Sequence, residues 1–145
     1  MTENCCFVYQ NCRKHAGFTQ ENAAEFLGIA PRTLAGYEAG GAPVPDDIAA
    51  KMMELYKAPL LGYQHLQNNP VARRFLPMLD DKTLSQAALS LICAAGNYMA
   101  QQSQMVTVCA DGLIDSAEGA RWEEVNKAIT ALIKAAFTLL LAPRD

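Results

Sequence analysis

Apolar positions in the first 66 residues recur at helical spacing, but only in short runs that glycine and proline interrupt. Cys5, Tyr9 and Cys12 stand at i, i+4 and i+7, which predicts a first helix over 2–15, stopped by Gly17 in the left-handed conformation. Thr19 offers a hydroxyl N-cap for the run TQENAAEFL, whose Ala23, Ala24 and Leu27 face inward while Glu21 and Glu25 stay in water. Gly28-Ile29 makes a turn. Pro31 suits the first position of a third helix, PRTLAGYEA, because its missing N–H would be unpaired there anyway; Leu34 and Tyr37 form the buried face. Gly40-Gly41 ends it, and Asp46 or Asp47 is placed to cap a fourth helix, DIAAKMMELY, with Ile48, Met52 and Leu55 inward. Leu60, Leu61, Tyr63 and Leu66 predict a short fifth helix.

The second half has another rhythm. No proline falls between residues 78 and 142, so nothing there forbids long helices. Asp80 or Asp81 can cap a helix through KTLSQAALSLICAAGNYMAQQSQMVTVCA, with Leu84, Ala88, Leu91, Ala95, Tyr98, Met99, Met105 and Val106 on one side. Ala87, Ala88, Ala94, Ala95 and Gly96 would let a neighbouring helix come close. Gly112 ends this helix, and Asp115 or Ser116, with Glu118 completing a capping box, opens a last one over 117–141. Its core stripe is Trp122, Val125, Ile129, Leu132, Ala136 and Leu139 or Leu140. Ile133, Phe137 and Leu141 add a second apolar face, more than one partner helix can cover. The pattern predicts an all-α chain: a helical unit over 1–66, a connecting segment over 67–81 around Gln67-Asn68-Asn69-Pro70, and a long helical hairpin over 82–145.

Composition narrows the function. With 51% hydrophobic and 19% charged residues the chain can bury a core, which argues against disorder. The start, MTENCCFVYQ, shows no signal-peptide pattern, so a cytoplasmic protein with reduced thiols is expected. The five cysteines, with His15, match no standard zinc spacing, and no metal or cofactor is implied. The segment ADGLIDSAEGARW resembles the end of a calcium loop, but Thr107 and Cys109 would occupy its first and third ligand positions, so a capped turn is the better reading. No Gly-rich phosphate loop or acid/base pair supports an enzyme, and His15 and His65 read as helix-end and surface residues. The apolar run Ala128–Ala142 is 15 residues long, short of the roughly 20 a bilayer span requires, so no membrane contact is expected.

The fixed-spacing pattern Gly17-x-Thr19-Gln20-x-x-x-Ala24-x-x-Leu27-Gly28-Ile29, then Thr33-Leu34, then Tyr37-Glu38-x-Gly40, is similar to the Cro/repressor-type (XRE) helix-turn-helix domains of phage repressors and bacterial regulators. The resemblance covers about residues 5–57. It implies a five-helix, lambda-repressor-like bundle whose third helix lies in the major groove while the second crosses the backbone. By the same resemblance, Arg13 and Glu38 form a buried ion pair between the first helix and the end of the third. Thr19 and Gln20 stand at the phosphate-contacting start of the second helix, and Ala30, Pro31, Arg32, Thr33, Ala35 and Gly36 fall at or beside the base-reading positions.

Two functions are compatible with these residues. One is a transcriptional regulator, a repressor, binding double-stranded DNA as a homodimer on a pseudo-palindromic operator through Thr19, Gln20, Ala30, Pro31, Arg32, Thr33 and Gly36. In that reading Ile129, Leu132, Ile133, Ala136, Phe137 and Leu140 form the dimer interface, two hairpins meeting about a two-fold axis. The other is a helix-turn-helix scaffold that meets a protein and binds little or no DNA. Charge separates them: 12 basic against 15 acidic residues give −3, without the basic surplus from which DNA binders draw nonspecific affinity. Arg73-Arg74 reads as a solvated face, and Met99, Met105, Tyr98 and Trp122 as core unless an unknown small-molecule effector lies among them.

Overall fold

The computed structural model describes residues 6–142, all helix, turn and loop, with no strand among them. Cys5, and with it one corner of the predicted first-helix stripe, lies outside the described residues. The chain forms two compact units that divide between Phe75 and Leu76.

The first unit holds α1 (Cys6–His15), α2 (Gln20–Leu27), α3 (Pro31–Glu38), α4 (Asp46–Leu55) and α5 (Pro59–Leu66). Local chemistry sets most of these boundaries. Gly17 adopts φ 77° after α1, and Gly28 adopts φ 70° after α2, its N–H directed at the carbonyls of Ala24 and Glu25. Both are left-handed positions that only glycine takes without strain. Thr19 caps α2 through its hydroxyl, which accepts the Asn22 N–H, and Pro31 occupies the first turn of α3. The expected aspartate cap of α4 is corrected. Pro45 is the N-cap and has no side-chain acceptor for the free N–H groups, while Asp46 and Asp47 lie inside the first turn, where carboxylates face the positive end of the helix dipole.

Tyr9, Ala24, Leu27, Leu34, Ile48, Met52, Tyr56 and Leu61 close the core of this unit. His65 is not a surface residue. Its Nδ1 meets the Tyr9 hydroxyl at 2.7 Å and its Nε2 meets Asp46 Oδ1 at 2.9 Å, so one imidazole ties α5 to both α1 and α4. After α5 a short 3₁₀ turn spans Ala72–Arg74, in which Arg73 Nε donates to the Gln67 carbonyl.

The second unit contains α6 (Leu84–Ala100), α7 (Gln102–Val108) and α8 (Gly119–Leu140). Thr83, not Asp80 or Asp81, caps α6: it and Gln86 form a reciprocal capping box. Asp80 is engaged elsewhere, with Lys134 at 2.6 Å and Lys82 at 3.2 Å, and these cations hold its carboxyl below the usual range. The long helix expected through Ala110 is interrupted at Gln101, which ends α6 and begins α7. Gly112, at φ 77°, turns the chain away, and Asp115 Oδ1 accepts the N–H groups of Ala117 and Glu118 ahead of α8.

Packing in the hairpin is rotated from the expected stripes. Ala87 and Ala94 are the buried residues of α6, with Leu91, Ala95 and Tyr98 half-buried, while Leu84, Met99 and Val106 face solvent. On α8 the deepest positions are Val125, Ala135 and Thr138, whereas Trp122, Ile129, Leu132, Ala136 and Leu139 are half-buried and Leu140 is exposed. Small side chains at the closest points let α6 and α8 pack together.

Candidate nucleic-acid interface

The geometry of α2 and α3 depends on one buried ion pair. Glu38, at the end of α3, accepts from Arg13 of α1 through both oxygens: Nε to Oε1 at 2.6 Å and Nη2 to Oε2 at 2.9 Å. Only 7% of the arginine side chain and 1% of the glutamate side chain are exposed. The Arg13 Nη1 donates to the Phe18 carbonyl at 2.7 Å, fixing the turn that leads into α2. Hydrogen bonding to Glu38 raises the Arg13 pKa above its already high ordinary value, so the guanidinium stays charged at every physiological pH.

Gln20 joins this cluster. Its Nε2 donates to Glu38 Oε2 at 2.8 Å, which pins a half-buried side chain at the first residue of α2. Sequence reading paired Glu38 with Arg13 and placed Gln20 near phosphate, but it missed the contact between Gln20 and Glu38. No local signal carries it, because it needs α2 and α3 folded across each other.

The outer surface of the motif is sparse. Thr19, Ala30, Pro31, Arg32 and Thr33 are exposed, and Ala35 and Gly36 are half-buried. Arg32 is the single cation of α3. Gly36 stands in mid-helix with nothing within 4 Å of where a Cβ would point, so nothing within the chain requires a glycine there. Elsewhere on the motif the exposed residues include Lys14 at the end of α1, the acidic Glu21 and Glu25 of α2, and Phe26, which is 70% exposed and meets Phe18 edge-on at 5.8 Å. The Thr19 hydroxyl oxygen accepts the Asn22 N–H as the α2 cap, which leaves its own hydrogen to donate to a phosphate oxygen.

Tyr56 is buried against Phe18, near enough to the ion pair to feel both of its charges. Burial pushes its phenol up to about 12, the nearby Glu38 carboxylate adds to the shift, and its hydroxyl has no hydrogen-bond partner among the described residues. Among the described residues no group of three or more histidines, cysteines or acids could hold a metal ion.

Two short helices joined by a glycine turn, the second offering its outer side and held to α1 by the buried arginine–glutamate pair and to the first by the Gln20–Glu38 bond, define a helix-turn-helix DNA-binding domain. Residues 10–62 match the model of the helix-turn-helix family, and the first unit is such a domain of the Cro/repressor (XRE) type. Comparison with curated proteins and with solved structures gives no match.

Proposed function

We propose that the protein regulates transcription, as a repressor, by binding a pseudo-palindromic operator as a homodimer. The observation that carries this reading is the joint presentation of Gln20 and Arg32. Gln20 is held at the start of α2, where the helix dipole favours a phosphate, and Arg32 is exposed in the first turn of α3, where a bidentate contact to guanine is within its chemistry. Thr33 lies beside Arg32, Thr19 and Lys14 lie toward the backbone, and Ala30, Pro31 and Gly36 supply a low surface that lets α3 sit deep in the groove.

The dimer is supported by the last helix. Ile133 and Leu140 are exposed along α8, with Ile129, Leu132, Ala136 and Phe137 half-buried beside them. A two-fold pair of such subunits presents two α3 helices to successive major grooves.

A selection from a randomised duplex pool at low salt tests the reading. Recovery of a two-fold symmetric motif with half-sites about one helical turn apart is the expected result. Arg32→Ala should then weaken binding by about 1–3 kcal/mol and relax one position of each half-site. If no sequence is enriched, the surface is a protein-binding one, a reading that exposed Phe26, on the same helix as Glu21 and Glu25, favours.

A further inference from the structure

We propose that a second copy of this chain docks on the outward face of α6, helix against helix across a two-fold axis, with Gly96 at the crossing. The inference rests on the dimer reading above and moves the centre of the interface from α8 to α6.

Opposite the buried Ala87 and Ala94, where an amphipathic surface helix places its polar residues, α6 carries Leu89, Ile92, Cys93, Gly96 and Met99, all exposed. Ile92 and Met99 are 68% and 66% exposed. No charged residue occurs between Lys82 and Asp111, so neither α6 nor α7 has a formally charged side chain to hold that face in water. An apolar strip that runs from Leu89 to Met99 along the outer face of the helix is a surface built to be covered.

Gly96 supplies an independent observation. A mid-helix glycine costs about 1 kcal/mol relative to alanine. The sequence suggested that this glycine admits the neighbouring helix of the hairpin, but it lies on the other side, and a Cβ there would meet nothing within 4 Å. Its conformation is an ordinary helical one, so the backbone does not require it either. What a glycine on the outer side of a helix permits is the close approach of something from outside the fold.

Charge identifies that occupant. In a two-fold interface each patch meets its own copy, so any charge near the axis faces a like charge. A strip without charges satisfies this condition, whereas a surface for a different protein ordinarily carries charges that select it. Two α6 helices crossing at Gly96 bring small residues together and bury Leu89, Ile92 and Met99 of each on the other, at the short end of the 8–10 Å interhelical range.

The test uses the full chain and three readings. Light scattering at micromolar concentration should give a dimer mass. Gly96→Leu, which raises helix propensity and so leaves the subunit folded, should weaken dimerisation at least tenfold and give a monomer mass with helical circular dichroism retained. A short bismaleimide should join Cys93 to Cys93 of a second copy, seen by peptide mass analysis. If Gly96→Leu and Ile92→Glu both keep the dimer mass while Ile133→Glu dissociates it, the α6 assignment is overturned and the dimer reading stands. A monomeric wild-type protein overturns both.

Discussion

The core of the first unit is made of long side chains around an ion pair, and that of the second is largely alanine. In the first, Leu27, Leu34, Met52 and Leu61 are fully buried, and most exposed side chains are polar or small. In the second, the fully buried large residues are Val108 and Val125, while Met78, Leu84, Leu89, Ile92, Met99, Val106, Leu113, Ile114, Ile133 and Leu140 stay exposed. Burying a large apolar side chain is worth about 1.5–3 kcal/mol, several times what an alanine methyl contributes. The first unit therefore closes its own core. The second leaves its best apolar area outside, and this is the area that the proposed dimer would cover. Under the proposed function, the first unit would read DNA and the second would be completed by association with another copy.

This contrast breaks first at Glu38. Glu38→Ala should destabilise the first unit by about 3–5 kcal/mol, because Arg13 is left charged and buried. Trp122 is the single tryptophan and lies in the second unit, so its fluorescence transition should stay in place while the circular-dichroism transition of the remaining helices moves to lower denaturant. A matching shift of both would show that the units do not fold independently. Replacing the pair together, Arg13→Met with Glu38→Leu, should recover most of the loss.

Concentration should act on the other unit. Each tenfold rise in protein concentration should stabilise the Trp122-reported transition by up to about 1.4 kcal/mol, with no change in the first unit. A Trp122 midpoint independent of concentration would mean that the hairpin is self-sufficient despite its exposed leucines and methionines.

A smaller change comes from Tyr56→Phe, which removes a buried hydroxyl without a partner and should leave stability unchanged or raise it by about 1 kcal/mol at neutral pH. The advantage should grow in alkali. The folded-state phenol is raised to about 12 from an ordinary value near 10, so the wild type keeps this contribution below pH 10 and loses it as pH climbs toward 12. Denaturation curves at pH 8 and 11 check the sign. The smallest effect belongs to Asp80→Asn. The ion pairs with Lys134 and Lys82 are partly exposed and worth less than about 1 kcal/mol. Because the carboxyl is depressed below its ordinary value, that contribution is present above the ordinary aspartate range and is lost as acid protonates the folded-state group, so variant and wild type should converge as pH falls through that lowered value.

Much of the first unit was legible because its signals are local: Gly17, Thr19, Gly28 and Pro31 each act within one turn of the chain. The partnership of Arg13 with Glu38 came through the family resemblance, since 25 residues of sequence separate them. The role of His65 was not legible, because its contact with Tyr9 spans 56 residues and exists only once α1 and α5 pack. In the second unit the facing of α6 was misread for a different reason. Periodicity locates a buried face by contrast with a charged one, and a helix apolar on both sides and uncharged throughout offers no contrast. The break at Gln101 was hidden likewise, since the apolar pattern runs on across a one-residue turn.

The bond from Gln20 to Glu38 has a thermodynamic consequence for binding. A free glutamine samples many rotamers, and immobilising such a side chain on a ligand costs about 0.5–1.5 kcal/mol of conformational entropy. Here that freedom is surrendered when the domain folds. In the proposed contact with phosphate the amide would already be restrained before binding, so the same carboxylate that stabilises the fold would set the entropy of that contact.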